Sequence, residues 1–350
     1  MTIYWTLFLL PTIFYLTEKR VSVSVSRIFW VATAVMFVFV IGFRHEIGCD
    51  WYGYYSTYEA LSSYKISNLY ESSFIWRGPA FYFLTWVIGQ TSLGFYGFNL
   101  ICGIFFCWAV LFFSRTQPSP WMSCLIAVPY LLIVISMGYV RQSIAVGFLL
   151  FALTQLEQDR HWRYSILIFI GSLFHASLIL FSPLMLHSLY KSNRLIFFLS
   201  ITLIGCVGFY LLTIYGEFWD TYFSSESSKY VSSGALPRAL MNAIPAGILL
   251  LINLRHPLTI GHLVWSILAG LSILSVVFVQ TGSSGFDRLG VYLIPIQLYA
   301  WPRIIGVFLE TRFKTLLALL IISIYAAYQY IWLNFSDHST CWVPYMSIVF

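Results

Sequence analysis

Arg44, Arg77, Arg141, Arg238 and Arg288 each stand at the border of an apolar run in a chain that carries few charges. A guanidinium is a fixed, permanently charged fork that matches phosphate oxygens. Taken singly, each arginine is equally a headgroup or salt-bridge residue; five at one membrane boundary suit a diphosphate attached to a lipid carrier.

The groups that could move a proton stand close to these cations in the sequence. The first polar segment reads Phe43-Arg44-His45-Glu46-Ile47-Gly48-Cys49-Asp50-Trp51-Tyr52-Gly53-Tyr54-Tyr55. Its glycine permits a tight turn that faces Arg44 and Asp50 toward one cavity. Two readings stand side by side: an Arg44–Asp50 ion pair that pins the loop, or Arg44 for an anionic leaving group with Asp50 orienting or deprotonating a sugar hydroxyl. Arg141-Gln142 follows Tyr139 and opens an apolar stretch whose helix N-terminus adds positive dipole there. Phe174-His175-Ala176-Ser177 puts an imidazole in an otherwise uncharged run, either as a satisfied packing residue or as a functional intramembrane group. The small-residue turn from Gln280 leads to Asp287-Arg288, with Tyr292 one helical turn later. Adjacent residues do not share a helical face, which predicts separate partners for Asp287 and Arg288. The aromatic tail Cys341-Trp342-Val343-Pro344-Tyr345-Met346 reads as a plug against the outer face. Trp342 and Tyr345 are candidates for sugar stacking, although interfacial anchoring is the commoner use of such rings.

The elements that must position these residues follow from composition. With 59% hydrophobic, 19% aromatic and 9% charged residues among 350, the chain lies far outside soluble composition. Apolar segments fall at 2–17, 28–43, 79–90, 95–114, 119–140, 142–156, 164–190, 195–215, 238–254, 258–280, 289–302 and 315–335. Hydrocarbon leaves the backbone no partner but itself, so all are expected to be helical, making the chain an all-α polytopic membrane protein. We read residues 1–350 as one membrane domain, with external loops at 44–78 and 216–237 and an external tail at 336–350. The stretch Thr2 to Thr17 lacks a small-residue cleavage site and is read as a retained helix. Lysine and arginine in the short loops set the cytoplasmic side. Simple alternation then fails unless 79–90 and 164–190 each enter and leave on the same side as short or broken helices. Irregular membrane segments are tolerated where they line an enclosed cavity, so these two mark the expected site.

The net charge of +6 comes from basic residues scattered singly between spans, which excludes nucleic acid as a partner. Cys102, Cys107, Cys124 and Cys206 sit in apolar runs without metal-ligand spacing and are read as packing residues. Cys49 and Cys341 both fall on the outer side, where they could bridge the first loop to the tail in an oxidising compartment.

At these residues the chain resembles the EpsG-like and Wzy-type bacterial polysaccharide polymerases. The resemblance rests on Arg44 to Tyr54 as R-x3-G-x-D-x3-Y, on Arg141-Gln142 followed by Ile144-Ala145, on Phe174-His175-x-Ser177, on the Asp287-Arg288 turn and on Pro344-Tyr345. Glu71, Phe74 and Pro79 look like a further family stretch, in which Arg77 is a departure. The resemblance implies a glycosyltransferase of GT-C-like architecture with about 10–12 membrane helices, some short or broken; the sequence has no dense outer-face carboxylate cluster that would demand a metal, so metal independence and no cofactor are expected. It implies a multi-pass protein of the bacterial inner membrane that joins undecaprenyl-diphosphate-linked repeat units at the periplasmic face, as in O-antigen and lipopolysaccharide biosynthesis. A flippase and a chain-length regulator would be its partner proteins, and membrane lipids its surroundings. On that reading His175, Asp50 and Asp287 are the candidate catalytic residues. Arg44, Arg141, Arg288, Arg77 and Arg238 would hold the diphosphate, and Tyr54, Glu71, Gln142, Tyr292 and Tyr345 would orient sugar.

Two other classes compete. A lipid-linked glycan flippase or transporter would spread charge through many spans and often repeat its halves, whereas here the ionisable residues gather at one face. A polytopic acyltransferase for envelope sugars would be favoured by a histidine-arginine pair in the first spans, and the first two apolar segments contain no histidine.

Overall fold

A backbone surrounded by apolar side chains can satisfy its N–H and C=O groups only internally, and helices are the result. The computed structural model describes residues 1–18, 22–65, 67–68, 78–186, 194–195, 198–199, 201–202, 234–255, 263–280, 283–307 and 311–349. In order these form α1 (Thr2–Thr17), α2 (Val23–Gly42), α3 (Trp51–Ser62), α4 (Pro79–Gly89), α5 (Gly94–Arg115), α6 (Pro120–Gly138), α7 (Val140–Leu156) and α8 (His161–Phe174). A 3-10 segment, Ala176–Met185, follows α8. Then come α9 (Ala235–Arg255), α10 (Leu263–Phe278), α11 (Ser283–Gly290), α12 (Pro295–Val307) and α13 (Thr311–Phe335). Five helices among the described residues, α2, α5, α6, α9 and α13, are long and apolar enough to cross a membrane. The protein is an all-α, multi-pass membrane protein.

Most expected segments appear within a few residues, and the departures have local causes. The loop expected at 44–78 contains the helix α3. The second, expected to reach 237, gives way to α9 at Ala235, and its residues 216–233 lie outside the described residues, as does most of 195–215. The segment expected at 289–302 is displaced to 295–307, because Pro295 has no N–H to donate and serves as a first helical residue. The run 164–190 is broken as expected, with the break at His175 between α8 and the 3-10 segment.

The chain forms two compact units. The first comprises residues 1–150, 170–176 and 308–350. Its central element is α6, apolar on all sides and therefore buried along almost its whole length, with α1, α2, α5 and α13 packed around it. Pro129 lacks the donor an α-helix needs, and the hydrogen-bond register widens to a π-helix over Val128–Ile135. Cys102, Cys107 and Cys124 are buried free thiols, as expected of packing residues; Cys206 lies outside the described residues.

One end of this unit is basic and aromatic. The Arg115 guanidinium lies 5.8 Å over Trp30, Phe14 stacks on Phe29, and Trp121 closes the group against Trp30. Arg115 ends α5, where a cation meets the negative end of the helix dipole.

The second unit comprises residues 151–169 and 177–307. Here α9 packs on α10, α11 and α12. Asn242 of α9 donates to the Gly290 carbonyl at 3.0 Å and accepts from Gln297 of α12 at 2.5 Å, tying three helices through one amide. Trp265 stacks on Tyr299 at 3.8 Å and donates its indole N–H to Glu157 at 2.6 Å.

Candidate functional site

At the other end of the first unit, the loop after α2, the chain's tail and the break between α6 and α7 interlock. The Cys49–Cys341 disulfide joins positions 292 residues apart in sequence, the bridge between loop and tail that the cysteine positions suggested. Backbone bonds continue the clamp: His45 N–H donates to Met346 O (2.9 Å), Gly48 N–H to Cys341 O (2.8 Å) and Ile348 N–H to Phe43 O (3.1 Å). Gly48 holds a φ of +99°, and a Cβ there would collide with the Met137 carbonyl, so glycine is required twice over. Trp342 is fully buried, with its N–H on Ile133 O (3.0 Å) and its carbonyl accepting from the Tyr4 hydroxyl (2.6 Å). A Cβ on Gly138 would lie 2.8 Å from the Trp342 ring. The tail is therefore a plug, and Trp342 is one of its packing residues, with no face open to a sugar. Tyr345 is half-buried and donates to Val40 O at 2.8 Å.

Arg44 turns inward. At 2% exposure it donates through Nη1 to Ile41 O, capping the end of α2, and through Nη2 to Asn99 Oδ1 of α5 at 3.1 Å. Among the described residues the groups acting on it electrostatically are Cys102, Tyr54, Tyr345 and Tyr4, none of them a carboxylate. Burial lowers its pKa to about 10, which leaves it charged at neutral pH. A charge in such surroundings is weakly screened, so its field extends toward the neighbouring loop and α3.

Arg141 has a different setting. Tyr139 leaves helical geometry at the end of α6, and α7 restarts at Val140, which puts Arg141 in the first turn at the positive end of the dipole. Its Nη1 donates to the Tyr82 hydroxyl of α4 at 3.2 Å, and its guanidinium lies 6.0 and 5.9 Å over the Phe81 and Tyr82 rings. The Tyr54 phenol of α3 lies beside Arg141, close enough for the arginine's charge and N–H groups to favour the ionised phenol. Burial, then the charge of Asp50, pushes the Tyr54 phenol up to about 12 against the pull of Arg141, so it is neutral at ordinary pH. Asp50 is exposed at the start of α3, and Gln142 is buried beside Arg141.

His175 borders the same region. Its N–H closes α8 on Gly171 O at 3.1 Å, and Phe174 stacks on Phe148 of α7. A Cβ on Gly78, which precedes α4, would come within 2.9 Å of Phe174 O. That close approach sets α4, and with it Tyr82, against the end of α8.

Within the second unit Arg238 and Asp287 form a bidentate pair, Nε to Oδ1 at 2.6 Å and Nη2 to Oδ2 at 2.8 Å. Asp287 thus has a partner other than Arg288, as the adjacency argument required. Tyr292 is buried, and its hydroxyl accepts from Ser177 at 3.2 Å. Glu71 and Arg77 lie outside the described residues.

Sequence reasoning passed over three participants. Tyr82 has no local mark; only the fold brings it to Arg141. Asn99 stands alone as an amide in the apolar run from Gly94, and an intramembrane polar residue is a signal in itself. His45, next to Arg44, meets the Tyr96 hydroxyl through Nδ1 at 2.6 Å.

Residues 27–347 match the EpsG family, and the chain belongs to it. No curated protein and no solved structure matches the chain. Family and architecture together are consistent with a membrane enzyme that handles glycans.

Proposed function

We propose, from membership of the EpsG family, that this protein is a surface-polysaccharide polymerase of the bacterial inner membrane, with GT-C-like architecture and an O-antigen type of product. It joins undecaprenyl-diphosphate-linked repeat units and works beside a flippase and a chain-length regulator. The observation that carries the reading is Arg141: a guanidinium at a helix N-terminus, held by neutral hydroxyls, with Asp50 and His175 on neighbouring elements of the same unit. Two further observations support a periplasmic active face. The Cys49–Cys341 disulfide at this end suits an oxidising compartment, and Arg27 and Arg115 toward the opposite end agree with the positive-inside rule.

In the proposed step the acceptor hydroxyl oxygen bonds to the anomeric carbon while the carbon's bond to the diphosphate breaks. Asp50 or His175 takes the hydroxyl proton, and the electron pair leaves on the diphosphate. Charge growing there is stabilised by Arg141 in contact and by the field of buried Arg44 behind it. Gln142 and Tyr345 orient the sugars, and Tyr54 helps to orient them through Arg141, which it lies beside. Arg288, Arg238, Asp287 and Tyr292 carry the same proposal within the second unit, and Arg77 and Glu71 from the first loop. Transfer needs no metal, so EDTA leaves the rate unchanged.

The test is the surface glycan ladder of cells lacking the protein, complemented with wild type, Arg141→Ala, Asp50→Asn or His175→Ala. Collapse of the ladder to a single repeat unit in the null and in Arg141→Ala supports polymerisation. Loss of the single-unit band as well would turn the assignment to a flippase, and an unchanged ladder would end the reading.

A further inference from the structure

An arginine side chain is long and rich in rotamers, and a cation that must meet a diphosphate at one angle needs something to hold it. Among the described residues, the groups that hold Arg141 carry no formal charge. One N–H goes to the Tyr82 hydroxyl, the Tyr54 phenol lies beside the guanidinium, and the Phe81 and Tyr82 rings face it. Each of these residues is itself fixed. Tyr82 is 7% exposed on the short helix α4, whose start abuts the Phe174 carbonyl. Tyr54 lies on α3, which begins directly after the disulfide-bonded Cys49. Arg141 is thus gripped from two helices, both outside α7.

We propose that Tyr54 and Tyr82 are positioning residues that aim the free N–H fork of Arg141 at the leaving diphosphate without neutralising its charge. The inference rests on the polymerase reading. A carboxylate in place of either hydroxyl would hold the guanidinium more tightly but would consume the charge that the diphosphate needs. The neutral phenol is the group that orients and leaves the field intact. Because Tyr54 titrates near 12, it keeps that character across the working pH range.

The experiment is a double-mutant cycle between Tyr82→Phe and Arg141→Ala. It uses purified full-length protein and lipid-linked repeat units extracted from cells lacking the protein. Tyr82→Phe removes one oxygen and keeps the ring. We expect it to lower kcat about tenfold with KM little changed, and to have no further effect in the Arg141→Ala background. If Arg141→Ala is too slow to measure, Arg141→Lys serves as the background, since lysine cannot use the same fork. An equal drop in both backgrounds means Tyr82 acts through the fold and overturns the proposal, as does a Tyr82→Phe variant with wild-type kcat. Tyr54→Phe should repeat the pattern, and wild-type kcat in that variant would overturn its part. The two readings fail differently: a fully active Arg141→Ala removes the polymerase site as drawn, whereas a slow Arg141→Ala beside an unimpaired Tyr82→Phe removes the positioning role alone.

Discussion

Two arginines, one in each unit, are held by opposite means. Arg141 in the first is held by two phenols and two aromatic faces, while Arg238 in the second is held bidentately by the Asp287 carboxylate. An ion pair closes the charge on itself, whereas hydroxyls fix the geometry and leave the charge facing outward. On the proposed reading, the difference makes Arg141 the cation that meets the anion most directly, while the Arg238 pair also joins helices, here α9 to α11. Sequence position does not reveal it, since both arginines lie within a few residues of a helix start.

The comparison can be broken or sharpened by substitution. The largest effect is expected from Arg141→Ala, which should slow polymerisation by about 10²–10³-fold with little loss of stability. An equally severe loss in Arg238→Ala would erase the distinction between the two sites. Next comes the clamp that holds the loop leading into α3. Removing the disulfide with Cys49→Ser or Cys341→Ser should cost about 2–4 kcal/mol of stability, read as a lower Tm in detergent. The wild-type chain should also show a mobility shift on adding reductant, and labelling of both Cys49 and Cys341 by a membrane-impermeant alkylator before reduction would remove the bridge.

Asp287→Asn should destabilise by about 2 kcal/mol, because it leaves a largely buried guanidinium with half a partner. Its effect on kcat should be smaller than that of Arg141→Ala, and the reverse order would move the chemistry to the second unit. Gly138→Ala is the smallest, about 1 kcal/mol, because the new methyl presses on the edge of the Trp342 ring. Trp342→Phe in the same chain should recover part of that loss, which a thermal-shift assay would register.

Much of the architecture was legible beforehand, and for a local reason. Whether a run crosses hydrocarbon depends on its own length and polarity, so α2, α5, α6, α9 and α13 stand where their apolar runs predicted. Pro295 moved one boundary, and the break at His175 was announced by a run too long for one upright span and too short for two. The site was legible in part. Arg141 at a helix start, Asp50 after a turn glycine and the tail as a plug were readable as neighbours in sequence. That Arg44 faces inward to Asn99 was not, because burial depends on how α2 and α5 pack.

By itself the sequence determined that the chain is helical, apolar and multi-pass, and that its arginines border apolar runs, since composition and periodicity act over a turn or a span. Only the tertiary structure decided which arginine is sheathed in phenols, which is paired with a carboxylate and which is buried behind the loop. It also decided that Cys49 reaches Cys341 and that Tyr82 reaches Arg141. Those outcomes are contacts between residues 49 to 292 positions apart in the chain. No local pattern encodes them, because they exist only once helices have packed and loops have closed.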